Sequence, residues 1–265
     1  MRTRIGFIGT GVMGQAVIST LLSAGIKREE ITFTRRKTEL IDEVKSKFGI
    51  EARSLEDLVR SSDLIFLAMK PQDLIALLDG IKGWLAPSTL IVSLAAGKST
   101  KVIQSTLGGS NPVIRVMPNT PMVVGEGVSA LSASENVTKE ELEWIRSLLA
   151  AGGRAIVVEE SLQDAVTAMS GSGPAYFFTF IEAMVKSGIE LGLSESDATT
   201  LAIATIKGAA VMLEQSGKSA TTLRENVTSP NGTTAAALRV FEERALDAMV
   251  AAAMKAARDR SMELG

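Results

Sequence analysis

The sequence predicts an α/β domain with a mainly parallel sheet, followed by an all-helical domain. Over the first 160 residues, short apolar segments of β-type composition alternate with segments of helical spacing. Because most of these strands are apolar along their whole length, helices are expected to cover both faces of the sheet. After Glu160 the β-type segments stop and long alanine-rich helical segments follow. We therefore predict a first domain over residues 1–160 and a second over residues 161–265.

The elements of the first domain follow from apolar runs and from helical spacing. Short apolar runs bounded by turn residues indicate strands, and apolar residues three and four positions apart indicate helices. The predicted strands are Arg4–Ile8, Ile31–Thr34, Leu64–Ala68, Leu90–Leu94, Val113–Met117, Val128–Leu131 and Ala155–Val158. The predicted helices are Met13–Ala24, Thr38–Phe48, Gln72–Leu78, Thr100–Leu107 and Lys139–Ala150.

The second domain is predicted to contain long helices separated by glycine and proline clusters. These helices are Pro174–Leu191, Glu195–Gln215, Thr233–Arg244 and Ala245–Met262. Several are apolar on more than one face, as in Ala235–Leu238 and Met249–Met254, which in water usually indicates burial by a partner helix. This pattern leaves two alternatives open, a compact monomeric bundle and an intertwined homodimer.

Composition excludes several classes of function. The formal net charge is −2 and aromatic residues make up 4% of the chain, so neither a basic nucleic-acid surface nor a base-stacking platform is expected. No apolar run approaches the roughly 18 residues of a membrane span. A signal peptide at Met1–Arg4 is also not favoured, because the apolar residues that follow are rich in glycine and are typical of a strand and turn.

The chain contains no cysteine and no histidine. This excludes disulfides, thiolate catalysis and cysteine-type zinc sites, and it removes the commonest general acid and metal ligand. We predict no metal site. A cysteine-free chain is compatible with a reducing compartment, so we expect a cytoplasmic protein.

A glycine-rich turn follows the first predicted strand. The segment Gly9-Thr10-Gly11-Val12-Met13-Gly14 fits the dinucleotide-binding fingerprint and opens a predicted helix. In that fingerprint the first glycine permits a tight turn, the second lets the backbone approach the pyrophosphate, and the third lets helix and strand pack closely. The helix N-terminus then offers N–H groups to the phosphates. A Rossmann-type nucleotide site is favoured over a simple glycine-rich turn.

Two arginines follow the second predicted strand. An NAD-preferring site often has an acidic residue here to bind the ribose 2′-hydroxyl, but this chain has Arg35 and Arg36. Their guanidinium groups match the geometry of a 2′-phosphate. We therefore predict NADPH as the preferred cofactor, with NADH also accepted. The alternative is a pair of solvated arginines on a loop.

Further cofactor contacts are expected where other parallel strands end, because ligands lie beyond the carboxyl ends of such strands. The small residues, prolines and single cation found there suit a groove lined by backbone. These candidates are Ala68, Met69, Lys70, Pro71, Ala95 and Ala96. For each of them, an ordinary connection between strand and helix is the competing interpretation.

Four segments together resemble pyrroline-5-carboxylate reductases. They are Ala68–Gln72, Met117–Pro121, Ser170–Tyr176 and Thr228–Thr234, and they occur in the order and spacing of that family over nearly the whole chain. The last segment is similar to the signature region of the family. It departs from the family at Asn231-Gly232, where Gly-Gly is usual. Asparagine tolerates a positive φ better than most residues, so the turn is expected to be kept.

The resemblance implies a Rossmann domain, a helical dimerisation domain, and an active site completed between two subunits, often within a decamer. It implies that Thr234 and the backbone around Thr233 hold the substrate and that Asn226 contacts the cofactor. It also implies that Glu160 lies near the substrate ring. Without the resemblance, Glu160 would be interpreted as a solvated residue at a domain hinge.

The implied reaction is hydride transfer to the C=N carbon of 1-pyrroline-5-carboxylate, which gives L-proline, the last step of proline biosynthesis. A protonated imine is already electrophilic, so the reaction needs no histidine. N–H groups at the Ser-Pro-Asn-Gly turn suit the substrate carboxylate. We predict that Thr234 hydrogen-bonds the ring nitrogen and relays its proton. As an alternative or additional role, Thr233 or Thr234 caps the following helix.

Two other functions are compatible with parts of the sequence. The segment Gly6–Gly14 also resembles the start of β-hydroxyacid dehydrogenases, for which Lys186 would be the candidate catalytic lysine. That interpretation leaves the segment Ser229–Thr234 unexplained. A redox-sensing binding protein is the second alternative, but the chain has no basic patch for DNA.

Overall fold

The computed structural model describes residues 4–264, so Met1–Thr3 of the signal-peptide alternative and Gly265 lie outside the described residues. The chain forms two compact units. The first extends to Pro174 and includes the chain from Ala256 onward, and the second is Ala175–Lys255. This division lies later in the chain than the predicted boundary at residue 160, because residues 161–174 pack with the first unit.

The first unit contains, over the described residues, an eight-stranded sheet. Its strands are β1 (Ile5–Ile8), β2 (Ile31–Thr34), β3 (Glu51–Ala52), β4 (Leu64–Leu67), β5 (Leu90–Ser93), β6 (Val113–Met117), β7 (Gly127–Ala133) and β8 (Gly153–Val157). Their order in the sheet is β3-β2-β1-β4-β5-β6-β7-β8. Strands β1 to β6 are parallel, whereas β7 is antiparallel to β6 and parallel to β8. The predicted parallel-dominated sheet is confirmed.

The helices of the first unit connect these strands, except the last, which follows β8. They are α1 (Val12–Ser23), α2 (Ile41–Phe48), α3 (Leu55–Ser61), α4 (Pro71–Ile81), α5 (Thr100–Leu107), α6 (Lys139–Ala150) and α7 (Gln163–Val166). The remaining helices are α8 (Gly173–Glu190), α9 (Glu195–Ser216), α10 (Ala220–Asn226), α11 (Thr233–Glu243) and α12 (Leu246–Glu263). Helix α8 begins at the end of the first unit, and α12 ends in the first unit.

Four short elements, β3, α3, α7 and α10, were not predicted because they are too short to show a period. Serine caps could have revealed α3 and α10. Ser54 accepts a hydrogen bond from the Asp57 N–H at the start of α3. Ser219 accepts one from the Thr222 N–H at the start of α10. A serine whose side chain accepts a hydrogen bond from the N–H three residues later is typical of a helix start.

Alternating side chains fill two hydrophobic clusters on the two faces of the sheet. On β1, Phe7 belongs to the cluster that includes residues of α1, α2 and α6, and its ring stacks on Phe66 of β4 at a centroid distance of 4.8 Å. Ile8 belongs to the cluster that includes residues of α3, α4 and α5. The expectation that both faces are covered is therefore confirmed.

The helical unit leaves much of its apolar surface exposed. Phe177 and Phe178 on α8 are each 60% exposed, and large apolar residues such as Leu201 on α9 and Met249 on α12 are also exposed. Exposed apolar surface of this extent is typical of a protein interface. The exposed apolar residues thus argue against a compact monomeric bundle. Among the described residues, no helix has both the length and the apolar character needed to cross a membrane.

Candidate active site

The turn after β1 requires glycine at two positions. Gly9 has φ +94°, and a Cβ there would lie 2.6 Å from the carbonyl oxygen of Ala68. At Gly14, a Cβ would lie 2.7 Å from the carbonyl oxygen of Gly9. The first glycine permits the left-handed turn and the second lets α1 pack against it, as the fingerprint predicts.

Packing within the chain does not require glycine at position 11. A Cβ at this position would meet no protein atom within 4 Å. Gly11 is the N-cap residue of α1, and no side chain caps this helix. The first N–H groups of α1, including those of Val12 and Met13, therefore have no capping side chain as acceptor, and they lie at the positive end of the helix dipole. This arrangement fits a dinucleotide pyrophosphate.

Thr10 provides a second sign of an incomplete polar site. Its side chain is buried, and its hydroxyl oxygen has no hydrogen-bond partner among the described residues. Its carbonyl oxygen accepts a hydrogen bond from Gln15 Nε2 at 3.1 Å, which fixes the turn. A buried hydroxyl without a partner costs free energy, so it usually indicates a group that a ligand or water completes.

The two arginines after β2 have different surroundings. Arg35 donates from Nη1 to the carbonyl oxygen of Leu40 at 3.2 Å, and its buried Nε has no partner. The Arg36 side chain is 86% exposed, and its Nη2 lies 3.8 Å from Asp73 Oδ1 in the first turn of α4. Arg35 is thus held by the backbone, whereas Arg36 extends into solvent with one loose ion pair.

The other cofactor candidates lie at the ends of β4 and β5. Ala68 contacts the glycine turn, and its N–H donates to the carbonyl oxygen of Ile8 at 2.9 Å. Met69 packs against the second hydrophobic cluster, Lys70 is the exposed N-cap residue of α4, and Pro71 is the first residue of that helix.

The segment after β5 is also tightly fixed. The Ala95 N–H donates to Ser93 Oγ at 3.3 Å, Ala95 is buried and Ala96 is half-buried. Because β2, β1, β4 and β5 are parallel neighbours, their carboxyl ends share one edge of the sheet. The structure therefore brings together the predicted cofactor residues of the first unit, from the glycine turn to Arg35, Arg36, Lys70 and Ala96.

Glu160 belongs to a polar cluster that the sequence reasoning missed. Its carboxylate accepts hydrogen bonds from the Thr100 N–H at 2.7 Å and from Thr100 Oγ1 at 2.6 Å. Arg115 Nη1 lies 3.9 Å from the same carboxylate, and Arg115 Nη2 lies 3.3 Å from Asp164 Oδ1. Glu160 is therefore not the solvated hinge residue of the alternative interpretation. An arginine inside the apolar run Val113–Met117 was the signal that could have revealed this cluster.

Two of the segments that carry the resemblance pack against each other. One turn of π-helix, Thr167–Gly171, places Gly171 against the side chain of Met117. Asn119 Nδ2 donates to the carbonyl oxygen of Ser170 at 3.2 Å, and Asn119 Oδ1 accepts from the Val128 N–H at 2.8 Å. Single π-turns often occur at functional sites.

The predicted substrate residues lie at the start of α11 in the second unit. The Gly232 N–H donates to the carbonyl oxygen of Ser229 at 3.0 Å, and Asn231 has φ +57°. Proline at the second position and a left-handed third position are typical of a type II turn. Asparagine therefore takes the left-handed conformation for which the family uses glycine, and the expectation that the turn is kept is confirmed.

The N-cap residue of α11 is Gly232, and no side chain caps the helix. The alternative in which Thr233 or Thr234 provides the cap is wrong, because both are already helical residues. Thr233 is exposed and Thr234 is half-buried, so the hydroxyl of Thr234 and the first N–H groups of α11 remain available. Asn226 is the exposed last residue of α10, in the same unit.

Comparisons with known proteins agree along the whole chain. The model of the pyrroline-5-carboxylate reductase dimerisation family matches residues 160–264, which indicates a homo-oligomer. A second model, described as NADP oxidoreductase coenzyme F420-dependent, matches residues 4–97. The pyrroline-5-carboxylate reductase of Corynebacterium melassecola is 40% identical over 99% of this chain and 99% of its own length.

Solved structures give the same result. A pyrroline-5-carboxylate reductase from Coxiella burnetii has a TM-score of 0.91 at 34% identity, covering 100% of this chain and 99% of its own. The Plasmodium falciparum pyrroline carboxylate reductase with NADP bound has a TM-score of 0.89 at 31% identity, covering 99% and 98% of the two chains. These likenesses favour neither the β-hydroxyacid dehydrogenase nor the redox-sensor alternative. The chain belongs to the pyrroline-5-carboxylate reductase family, whose members are NAD(P)H-dependent oxidoreductases of proline biosynthesis.

Proposed function

We propose that this chain reduces 1-pyrroline-5-carboxylate to L-proline with NADPH and that the turn before α11 holds the substrate. The observation that carries the proposal is the uncapped N-terminus of α11, which lies within the signature region of the family. Its free N–H groups suit the substrate carboxylate, and the hydroxyl of Thr234 is adjacent to them.

The residues of the chain have separate tasks in this reaction. The N–H groups that follow Gly11 bind the pyrophosphate, and Ala95 and Ala96 line the groove beside the cofactor. NADPH, when bound, supplies the hydride that reduces the C=N carbon. The Thr234 hydroxyl accepts a hydrogen bond from the protonated ring nitrogen and keeps the imine oriented. Since a protonated imine is already electrophilic, positioning by a hydroxyl is sufficient and no histidine is required.

Two further contacts complete the proposed site. Asn226 contacts the cofactor, as the resemblance implies. Glu160 lies beside the substrate ring, where a carboxylate stabilises the positive charge of the iminium ion. The Glu160 side chain is 29% exposed, so the fold does not fully enclose it.

The function is tested by following the loss of NADPH absorbance with 1-pyrroline-5-carboxylate and by identifying the product. We expect rapid turnover that forms L-proline, and no turnover with β-hydroxyacids and NADP⁺. Tight NADPH binding without turnover would contradict the proposal and would favour a binding protein.

Cofactor preference is predicted to depend on Arg36. Arg36→Ala should raise KM for NADPH about tenfold, because one charge-assisted contact to a 2′-phosphate is worth about 1.5 kcal/mol. KM for NADH should remain unchanged, since NADH lacks that phosphate. Parallel initial-rate measurements with both cofactors check this.

The matched control is Arg60→Ala, which removes an exposed arginine paired with Glu56 on α3. It should leave KM unchanged for both cofactors. Equal effects of Arg36→Ala on NADPH and NADH would argue for a general role in binding, against 2′-phosphate recognition. The double substitution of Arg35 and Arg36 is expected to reverse the preference toward NADH.

We also propose a homodimer formed through the helical domain, with two subunits completing each active site, and a decamer as the full assembly. The exposed apolar residues of α8, α9 and α12 support the dimer, because a single chain leaves them in water. Light scattering measures the mass, and a monomer at working concentration would contradict the proposal. We propose the cytoplasm as the compartment, with which a cysteine-free chain is compatible.

A further inference from the structure

Arg115 is a buried charge within an apolar strand. Its side chain is only 5% exposed, although its neighbours in β6 include Ile114 and Val116 of the hydrophobic core. Removing a guanidinium group from water costs several kcal/mol, and apolar residues of similar volume often stabilise a fold as well or better. Stability of the sheet alone therefore does not explain an arginine at this position.

The location of Arg115 points toward the ligand-binding edge of the sheet. Its partners in register are Ser93, the last residue of β5, and Ser132 of β7. Ser93 Oγ accepts the hydrogen bond from Ala95, one of the predicted cofactor residues. A polar row thus crosses the sheet at the carboxyl end of β5, where ligands of parallel sheets bind.

The guanidinium group lies between two carboxylates that are themselves fixed. Glu160 is held by both hydrogen-bond donors of Thr100, at the first residue of α5. Asp164 accepts a hydrogen bond from Ser261 Oγ at 2.7 Å, in the last turn of α12. Arg115 therefore joins the segment after β8, the start of α5 and the last turn of α12 around one cation, and the Glu160 and Asp164 side chains beside it are partly exposed, at 29% and 27%.

We propose that Arg115 is a positioning residue that acts through Glu160, holding its carboxylate in the orientation that the substrate ring requires. This inference rests on the proposed function, in which Glu160 lies beside the iminium ion. The planar guanidinium group reaches Glu160 and Asp164 with different nitrogens, which a single ammonium group cannot reproduce. The Glu160 carboxylate should therefore shift when lysine replaces Arg115.

The test compares Arg115→Lys with the unaltered enzyme in two measurements. We expect kcat/KM for 1-pyrroline-5-carboxylate to fall at least about tenfold, because misplacement by about 1 Å can lower the rate by about 100-fold. We expect Kd for NADPH, measured by fluorescence titration without substrate, to change less than about twofold. Arg146→Lys is the matched control, since Arg146 pairs with Glu143 on the exposed side of α6, and it should change neither value.

A second variant keeps the inference testable if Arg115→Lys does not fold. Thr100→Val removes the hydroxyl that donates to Glu160 but keeps the size of the side chain and the N–H group, and it should give the same pattern. A rise of about tenfold in Kd for NADPH, or an unchanged kcat/KM for the substrate, would overturn the inference. Absence of turnover in the unaltered enzyme would instead overturn the proposed function, and this inference with it.

Discussion

Gly11→Val is expected to remove most NADPH binding while the chain remains as stable as before. A side chain at this position meets no protein atom within 4 Å, and the backbone of Gly11 has φ −69° and ψ −173°, which any residue can adopt. The valine would instead occupy the space from which a pyrophosphate approaches α1. Loss of two charge-assisted hydrogen bonds, at about 1.5 kcal/mol each, corresponds to about 100-fold in Kd.

The matched variant is Gly9→Ala, which should lower the stability of the fold. A Cβ at residue 9 would collide with the carbonyl group of Ala68, and φ is +94°. We expect it to lower the free energy of unfolding by about 1–3 kcal/mol or more, as strained backbone does. Fluorescence titration and thermal melting separate the two variants. A loss of stability in Gly11→Val equal to that of Gly9→Ala would contradict the assignment of Gly11 to cofactor binding.

Thr234→Ala is expected to lower kcat/KM for 1-pyrroline-5-carboxylate by about 100-fold, because misplacement of the reacting groups by about 1 Å can lower the rate by that factor. Gly232, not a threonine, is the N-cap residue of α11, so loss of the Thr234 hydroxyl removes no helix cap. The melting temperature should therefore stay unchanged, as should Kd for NADPH.

Two variants are the controls for this prediction. Thr234→Ser keeps the hydroxyl and should restore most of the activity. Thr233→Ala removes an exposed neighbouring hydroxyl but keeps the backbone N–H, so its effect should be small. If Thr233→Ala lowers kcat/KM as much as Thr234→Ala, the role belongs to the helix N-terminus as a whole and not to the Thr234 hydroxyl.

Local sequence patterns predicted most of the first unit within a few residues. Strands β2 and β6 and helices α5 and α6 have the predicted bounds, since their apolar periodicity and their flanking turn residues agree. The predicted helix Thr38–Phe48 is instead a 3₁₀ turn, Thr38–Leu40, followed by α2. Short elements such as β3 were not predicted because a two-residue strand has no period to detect.

The candidate site was predictable to a similar extent. The glycine turn and Arg35 and Arg36 were found because each follows a recognisable strand. Thr234 was found through the resemblance alone, because nothing in the composition of α11 distinguishes it from a capping residue. Only the structure excluded the cap and identified Arg115.

The sequence by itself determined the alternation of strands and helices, the dinucleotide turn and the family, because these depend on neighbouring residues. The tertiary structure alone decided that β7 runs against β6 and that Arg115, Glu160 and Asp164 form one cluster. It also decided that the last turn of α12 returns to the first unit through Ser261. These features depend on contacts between residues far apart in the chain, such as Asp164 and Ser261, and such pairings are selected by burial and charge compensation in the folded state.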